Sequence, residues 1–454
     1  MNYQDFISGK QFKQDSAGFD ADISGYPLFD YQQPIVKWAL KRGKAAIFAD
    51  TGLGKTIMQL SWADSVAKHT GHPVLILAPL AVSSQTVEEG AKYGIHVEKL
   101  NPSDDVFGPN IYITNYEQLH KVKQDQFQGV ALDESSILKG MMGARRKEIT
   151  DFASTIPYRL SCTATPSPND FMELGTQSEF LGIMSQVEML AMFFIHDGSD
   201  TSKWRLKGHG QKKFFEWLAT WSVVIRNPSD LGFDGSRHEL PPLIYHEHVI
   251  ETDPTDQLFV EPAQGLQDRN KARKDSVIDR VQKAADLANT IEGPVLVWCN
   301  LNDESELLTK SIVDAVEVKG ADKPEHKEKT LLGFAHNEVK CLVSKPKIAG
   351  FGMNWQNCQN MIFVGLSDSW EMYYQAIRRC WRFGQTKPVN VHVISADTEG
   401  AVIENIKRKD AQNQELGVSM VEHMKTVMEK EIFAAAIEKA EYLGDVEFKL
   451  PEWL

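Results

Sequence analysis

Twice along this chain, short runs of apolar, β-branched residues alternate with longer helix-patterned stretches, and this double rhythm restricts the fold more than any other feature. The first set of candidate strands covers residues 45–49, 74–78, 111–114, 130–133 and 158–163. The second covers 295–299, 316–318, 341–344, 361–364 and 389–394. Strands that are apolar throughout must be covered on both faces, which is the condition of a parallel sheet flanked by helices. The expected class is α/β, with two tandem parallel-sheet domains and a ligand at the carboxyl ends of the strands.

Residues 171–290 break this rhythm. Phe214, Trp217, Leu218, Trp221, Val224 and Ile225 are spaced for one face of a helix. Lys203, Arg205, Lys207, Lys212 and Lys213 form a basic cluster, and Leu240-Pro241-Pro242 reads as an extended linker. Residues 401–440 are rich in Ala, Glu, Lys and Met, with Ile403, Ile406, Val421, Met424 and Met428 marking amphipathic helices. The expected organisation is an N-terminal α/β domain over 1–170 and a mainly helical insertion and linker over 171–290. A second α/β domain over 291–400 and a C-terminal helical brace over 401–454 follow.

The first candidate strand runs into Asp50-Thr51-Gly52-Leu53-Gly54-Lys55-Thr56, and a helical pattern follows over 57–67. Glycines at 52 and 54 let the backbone fold tightly, so amide groups at Thr51 to Thr56 and the helix N-terminus point at phosphate oxygens. Lys55 is placed to reach the β- and γ-phosphates and the Thr56 hydroxyl to hold Mg²⁺. Ala49 stands where the strict pattern has Gly, and a small residue suffices there. Asp133-Glu134 ends the apolar strand 130–132. A carboxylate in that position takes Mg²⁺, and a second beside it polarises the attacking water, so Asp133 is assigned to the metal and Glu134 to the base.

In the second set, Arg379 and Arg382 lie three residues apart, with Gln375 four residues before Arg379. On a helix both guanidiniums face one way. An arginine brought to a γ-phosphate in this manner accelerates transfer by about 10³–10⁵. Hydrolysis then requires closure of the cleft between two domains.

These segments together resemble the superfamily-two helicase-like ATPases, and within them the Swi/Snf type. Leu28-Phe29-Asp30-Tyr31-Gln32 resembles the adenine-reading glutamine motif, which implies ATP as the nucleotide and Gln32 as a contact. Asp50 through Thr56 resembles motif one, and Leu77-Ala78-Pro79-Leu80 motif Ia. Thr114-Asn115-Tyr116 resembles the strand-end contact that follows. Asp133-Glu134-Ser135-Ser136 resembles the Asp-Glu-Ala-His segment. Its last two positions depart from the pattern, so the bridging contact made there in the family is not carried over.

Leu160-Ser161-Cys162-Thr163-Ala164-Thr165-Pro166 is similar to motif three, Val295 to Trp298 to motif four, and Ser344 through Trp355, including Gly352, to motif five. Gln375, Arg379, Arg382 and Gly384-Gln385 are close to the Swi/Snf form of motif six. The insertion also resembles that of compact phage- and prophage-encoded members. The resemblance implies RecA-like domains, ATP with Mg²⁺, and duplex DNA held by its backbone while the motor translocates. It places Ser83 and Asn115 at the nucleic acid and Gly352 at the nucleotide, and the basic residues Lys203, Arg205, Lys207 and Lys345 are independent candidates for phosphate contact.

Composition sets only outer limits. The net charge of −13 opposes nonspecific coating of nucleic acid, yet binding follows local charge. Five scattered cysteines without C-x-x-C spacing offer neither a zinc site nor a disulfide framework. Apolar runs fall far short of the ~18 residues of a membrane span. A cytoplasmic protein is expected, in the host if the chain is phage-encoded, and a monomeric working unit is compatible with this. His246 and His248 lack a third ligand at suitable spacing, and Trp370 and Trp381 read as core. Two other readings stay open: a strand-separating helicase on DNA or RNA, and an ATP-gated clamp without productive turnover.

Overall fold

The computed structural model describes residues 17–101, 105–139, 143–196, 204–251, 276–349, 353–367 and 369–437. Within the first lobe lie β1 (Lys44–Ala49), β2 (Val74–Ala78), β3 (Val97–Lys99), β4 (Ile111–Asn115), β5 (Gly129–Asp133) and β6 (Tyr158–Thr163). An antiparallel hairpin of β7 (Phe194–His196) and β8 (Trp204–Leu206) precedes β9 (Ser222–Ile225). The first sheet runs β3-β4-β2-β5-β6-β1-β9, with every neighbouring pair parallel. The second is built from β10 (Leu243–Ile250), β11 (Val295–Trp298), β12 (Ala315–Val318), β13 (Cys341–Ser344), β14 (Asn360–Val364) and β15 (Val389–Ala396). Its order is β10-β15-β14-β11-β13-β12, again all parallel.

The apolar runs become strands because both their faces are covered. Every residue of β2 and β5 is buried. The helix Lys55–Thr70 supplies part of the cover through Met58, Leu60, Trp62, Ala63 and Val66. Each Leu- or Val-sized side chain removed from water contributes about 1.5–3 kcal/mol before entropy is counted. Gly71 ends this helix at φ +71°, and its amide returns to Ala67 O.

One expectation is corrected here. Phe214 to Ile225 do not share a single helix face: a helix occupies Gln211–Ala219, and Ser222–Ile225 forms β9 on the edge of β1. The β-branched Val223, Val224 and Ile225 favour a strand, and β1 presents an open ladder that they satisfy, with Asp50 N donating to Ile225 O at 2.9 Å. The segment read as an insertion therefore also contributes a strand to each sheet, since β10 pairs along β15. β3 had no signal in the sequence because Glu98 and Lys99 make it short and polar.

The helix Gly400–Ile437 starts on the second lobe and ends on the first. Val402 and Ile406 lie in the core of the second, whereas Met420, Met424, Met428 and Ile432 lie in the core of the first. Asn413 Nδ2 donates to Pro168 O at 2.9 Å midway. Among the described residues, no helix is long and apolar enough to cross a membrane.

Candidate active site between the lobes

Parallel strands end together, so β1, β5 and β6 deliver their C-terminal residues to one place. Ile47 and Asp133 both lie level with Cys162 of the intervening β6. Past β1 the chain turns through Gly52 at φ +92° and Gly54 at φ +72°, backbone states that L side chains rarely adopt. Added Cβ atoms would also collide with neighbours, 2.9 Å from Phe383 Cβ at Gly52 and 2.4 Å from Gln32 Nε2 at Gly54. Gln32 is buried and braces this loop, donating to Leu53 O at 2.9 Å while its Oε1 accepts from Phe29 N at 2.9 Å.

Lys55 Nζ donates to Ala49 O at 2.8 Å and Asp50 O at 3.3 Å across the mouth of the loop. Burial pushes its pKa down, while Glu134, Asp50 and Asp133 push it back up. Asp133 is buried and held from behind, where Tyr116 Oη donates to its carbonyl at 2.6 Å. Burial and the adjacent Glu134 carboxylate raise the Asp133 pKa to about 7, against the pull of Lys55. A divalent cation beside it would restore the carboxylate, which fits the metal role. Glu134 turns back at φ +54°, 3.5 Å from the Thr163 hydroxyl.

The second lobe closes the site. The helix Trp370–Ile377 and the turn after it hold Gln375, Arg379 and Arg382. Arg379 is buried, donating to Gln375 O at 3.0 Å, Gln375 Oε1 at 3.0 Å and Met353 O at 3.2 Å. Burial lowers its pKa, and the Glu134 and Asp133 carboxylates of the first lobe are among the charges that oppose this. Arg382 bonds Asn354 Oδ1, and burial together with Arg379 pushes its pKa down to about 9. The buried Arg379 and the half-buried Arg382 call for an anion between the lobes. Buried Nε2 of Gln375 and Nε of Arg378 and Arg382 also have no acceptor among the described residues.

A nucleoside triphosphate with Mg²⁺ fits this set of groups. Loop amides, Lys55 and the guanidiniums suit the phosphates, and Thr56 and Asp133 suit the cation. Thr51 lies in the same loop. Gly352 and Lys203 lie outside the described residues.

The other nucleic-acid candidates are scattered. Ser83 is buried on the helix Leu80–Lys92, and Asn115 caps a short helix by accepting from Gln118 N at 3.1 Å. Lys207 Nζ bonds the carbonyls of Ala191 and Met192, and Lys345 Nζ bonds Asn302 Oδ1 at 2.6 Å. Arg205 is exposed on β8.

A cleft of about 1050 Å³ between the lobes is lined by Lys92 and Lys99 with Glu88 and Glu89 on one side and by Lys327 and Lys347 on the other. Its wall includes Lys139, whose ammonium pairs with Glu371 of the second lobe. A bridge is thus made three residues after Ser136. Tyr374 and Arg378, to which the sequence assigns no role, join the lobes by binding Asp50 at the phosphate loop itself.

Two parallel α/β lobes with a phosphate loop on one and inward-facing arginines on the other define a tandem RecA-like protein of the helicase-type ATPase class. Comparison with known proteins agrees: residues 29–174 match the DEAD/DEAH box helicase family and residues 277–384 the helicase conserved C-terminal domain. The chain belongs to the superfamily-two helicase-like ATPases of the Swi/Snf type.

It is similar to the SWI/SNF-related matrix-associated actin-dependent regulator of chromatin subfamily A-like protein 1 homolog of Caenorhabditis elegans. That match is 27% identical and covers 38% of this chain and 28% of the relative. It is also 22% identical to Chromodomain-helicase-DNA-binding protein 1 of Gallus gallus, covering 88% of this chain and 27% of the relative. The SWI/SNF-related A-like protein 1 of Xenopus tropicalis is 22% identical, with 82% and 43% covered. The chain thus spans less than half the length of these relatives.

Proposed function

We propose that this protein is a DNA-dependent ATPase that couples hydrolysis to translocation on double-stranded DNA. The observation that carries the reading is that the second lobe meets the phosphate loop: Arg378 Nη2 bonds Asp50 Oδ2 at 2.9 Å, and the next residue is the buried Arg379. Bound Mg²⁺–ATP supplies the phosphoanhydride to be cleaved. Around it, the loop amides and Lys55 hold the phosphates, Asp133 and Thr56 hold the cation, and Glu134 takes the proton from the attacking water. Arg379 and Arg382 offset the negative charge that develops, and Gln375 keeps Arg379 in line. Because the arginines belong to the other lobe, turnover and lobe movement are coupled.

Relatives whose names refer to chromatin and DNA binding support DNA as the polymer. Contact with the DNA backbone would carry little sequence preference and weaken with salt.

Phosphate release measured with no polymer, single-stranded DNA, duplex DNA and RNA tests this. Duplex DNA should stimulate most. Lys55→Ala should abolish turnover, and Glu134→Gln should slow it by about 10²–10⁴-fold. A rate indifferent to duplex DNA overturns the reading. Strand displacement without triplex displacement would identify a helicase instead, and ATP-dependent DNA retention with negligible phosphate release would identify a clamp.

A further inference from the structure

Asp50 opens the phosphate loop and places a carboxylate at its root. The Oδ1 atom accepts from Thr51 N at 2.6 Å and from the Tyr374 hydroxyl at 2.5 Å, and Arg378 Nη2 bonds Oδ2 at 2.9 Å. Tyr374 and Arg378 belong to the second lobe, 324 and 328 residues further along the chain. The Arg378 guanidinium is clamped between rings, 5.1 Å from the Tyr374 centroid and 4.6 Å from that of Trp381. Burial alone would drive the Asp50 carboxyl pKa up. Arg378, Tyr374, the Thr51 amide and Lys55 overcome this and hold it below the usual carboxylate range. Asp50 is thus an anion in the place that must receive a polyanion, and in low dielectric two such charges oppose each other strongly.

We propose that Arg378 is a positioning residue that cancels the charge of Asp50 beside the triphosphate and ties the phosphate loop to the helix that presents Arg379. Consecutive side chains divide the work: Arg378 reaches the acid that follows β1, while Arg379 is held by Gln375 and Met353. This inference rests on the ATPase reading above and adds to it a contact between the lobes at the nucleotide.

The charge role and the tie separate experimentally. Binding of a fluorescent ATP analogue is titrated against the wild type, Arg378→Ala, Arg378→Lys, Asp50→Asn and the Asp50→Asn/Arg378→Ala pair, with kcat measured alongside. Arg378→Ala should weaken binding by about tenfold or more, since it leaves a buried carboxylate unpaired. Arg378→Lys should recover part of the loss. In the double variant binding should return to within about threefold of the wild type, because the repelling charge has gone. Its kcat should stay low, because the tie is still missing.

Circular dichroism and thermal melting check folding. If Arg378→Ala does not fold, Arg378→Gln, which keeps bulk over Tyr374 and Trp381, carries the same comparison. Wild-type binding with Arg378→Ala unaffected, or a double variant that binds as poorly as Arg378→Ala, overturns this inference alone. A wild type that binds no nucleotide overturns the ATPase reading itself.

Discussion

Glu134 sits at φ +54°, in the left-handed region that non-glycine residues seldom occupy. Such strain is characteristic of catalytic positions and costs of order 1–3 kcal/mol. Its effect here is local: the chain reverses sharply after β5, and the carboxylate swings toward Thr163 instead of continuing along the strand. Gly54 carries the complementary requirement, since its own φ of +72° and the nearby Gln32 amide leave no room for a side chain. Gly54→Ala should add about 1–2 kcal/mol of backbone strain and break the Gln32–Leu53 hydrogen bond, worth about 1 kcal/mol. Weakened ATP binding with a lowered melting temperature is expected. If the displaced Gln32 matters, Gln32→Ala added to Gly54→Ala should cost nothing further, and an additive loss would refute that account. The loop's identity was legible because glycine spacing is a local signal. The partnership of Asp50 with Arg378 was not, because a charge pair so far apart in sequence leaves no mark on either segment.

Elements are held together by devices that their own sequences only half disclose. β10 and β15 pair in register, which sets His246, His248 and His392 on one face. His248 Nε2 lies 3.1 Å from His392 Nδ1, and the His246 and His392 rings stack at 4.4 Å. Burial and the two neighbouring imidazoles push the His392 pKa down to about 4, and His248 is lowered as well by burial, Lys283 and His246. The folded chain therefore takes up its proton at His392 only at lower pH than the unfolded chain does. The stabilisation is present above about pH 6.5 and is lost as pH falls toward 4. Denaturant melts across this window should show stability declining with acid, and His392→Gln should flatten the decline. An unchanged slope would mean that other groups carry it. Sequence reading recognised the alternation of His246 and His248, but His392 joins them only through a parallel pairing that the sequence does not announce. β9 escaped for a related reason: the spacing of Phe214 to Ile225 fits a helix face, and the strand preference of Val223, Val224 and Ile225 becomes decisive only at the open edge of β1.

At the scale of the whole molecule, two lobes share one nucleotide site and one long helix. The apolar residues of that helix serve the second lobe at Val402 and Ile406 and the first at Met420, Met424, Met428 and Ile432. Their angular relation around the helix fixes how the lobes sit. Inserting one alanine between Glu415 and Leu416 turns everything downstream by about 100°. That rotation should expose the methionines and cut the stimulation of ATPase by DNA, while each sheet still folds. A single cooperative melt with full stimulation would show that the helix does not couple the lobes. The tandem sheets were legible because fully buried strands announce themselves as apolar runs. The helix was legible as amphipathic, but its division between two cores was not, because each set of apolar residues looks alike on paper. Synthesis meets the same division in time. A ribosome delivers β1 to β6 early, yet the methionine stripe that packs on the helices Gln32–Arg42 and Gln211–Ala219 and on β9 emerges only after the second lobe has been made. Until then the nascent first lobe exposes an oily flank, a natural target for chaperones and a moment at which two growing copies are most prone to stick together.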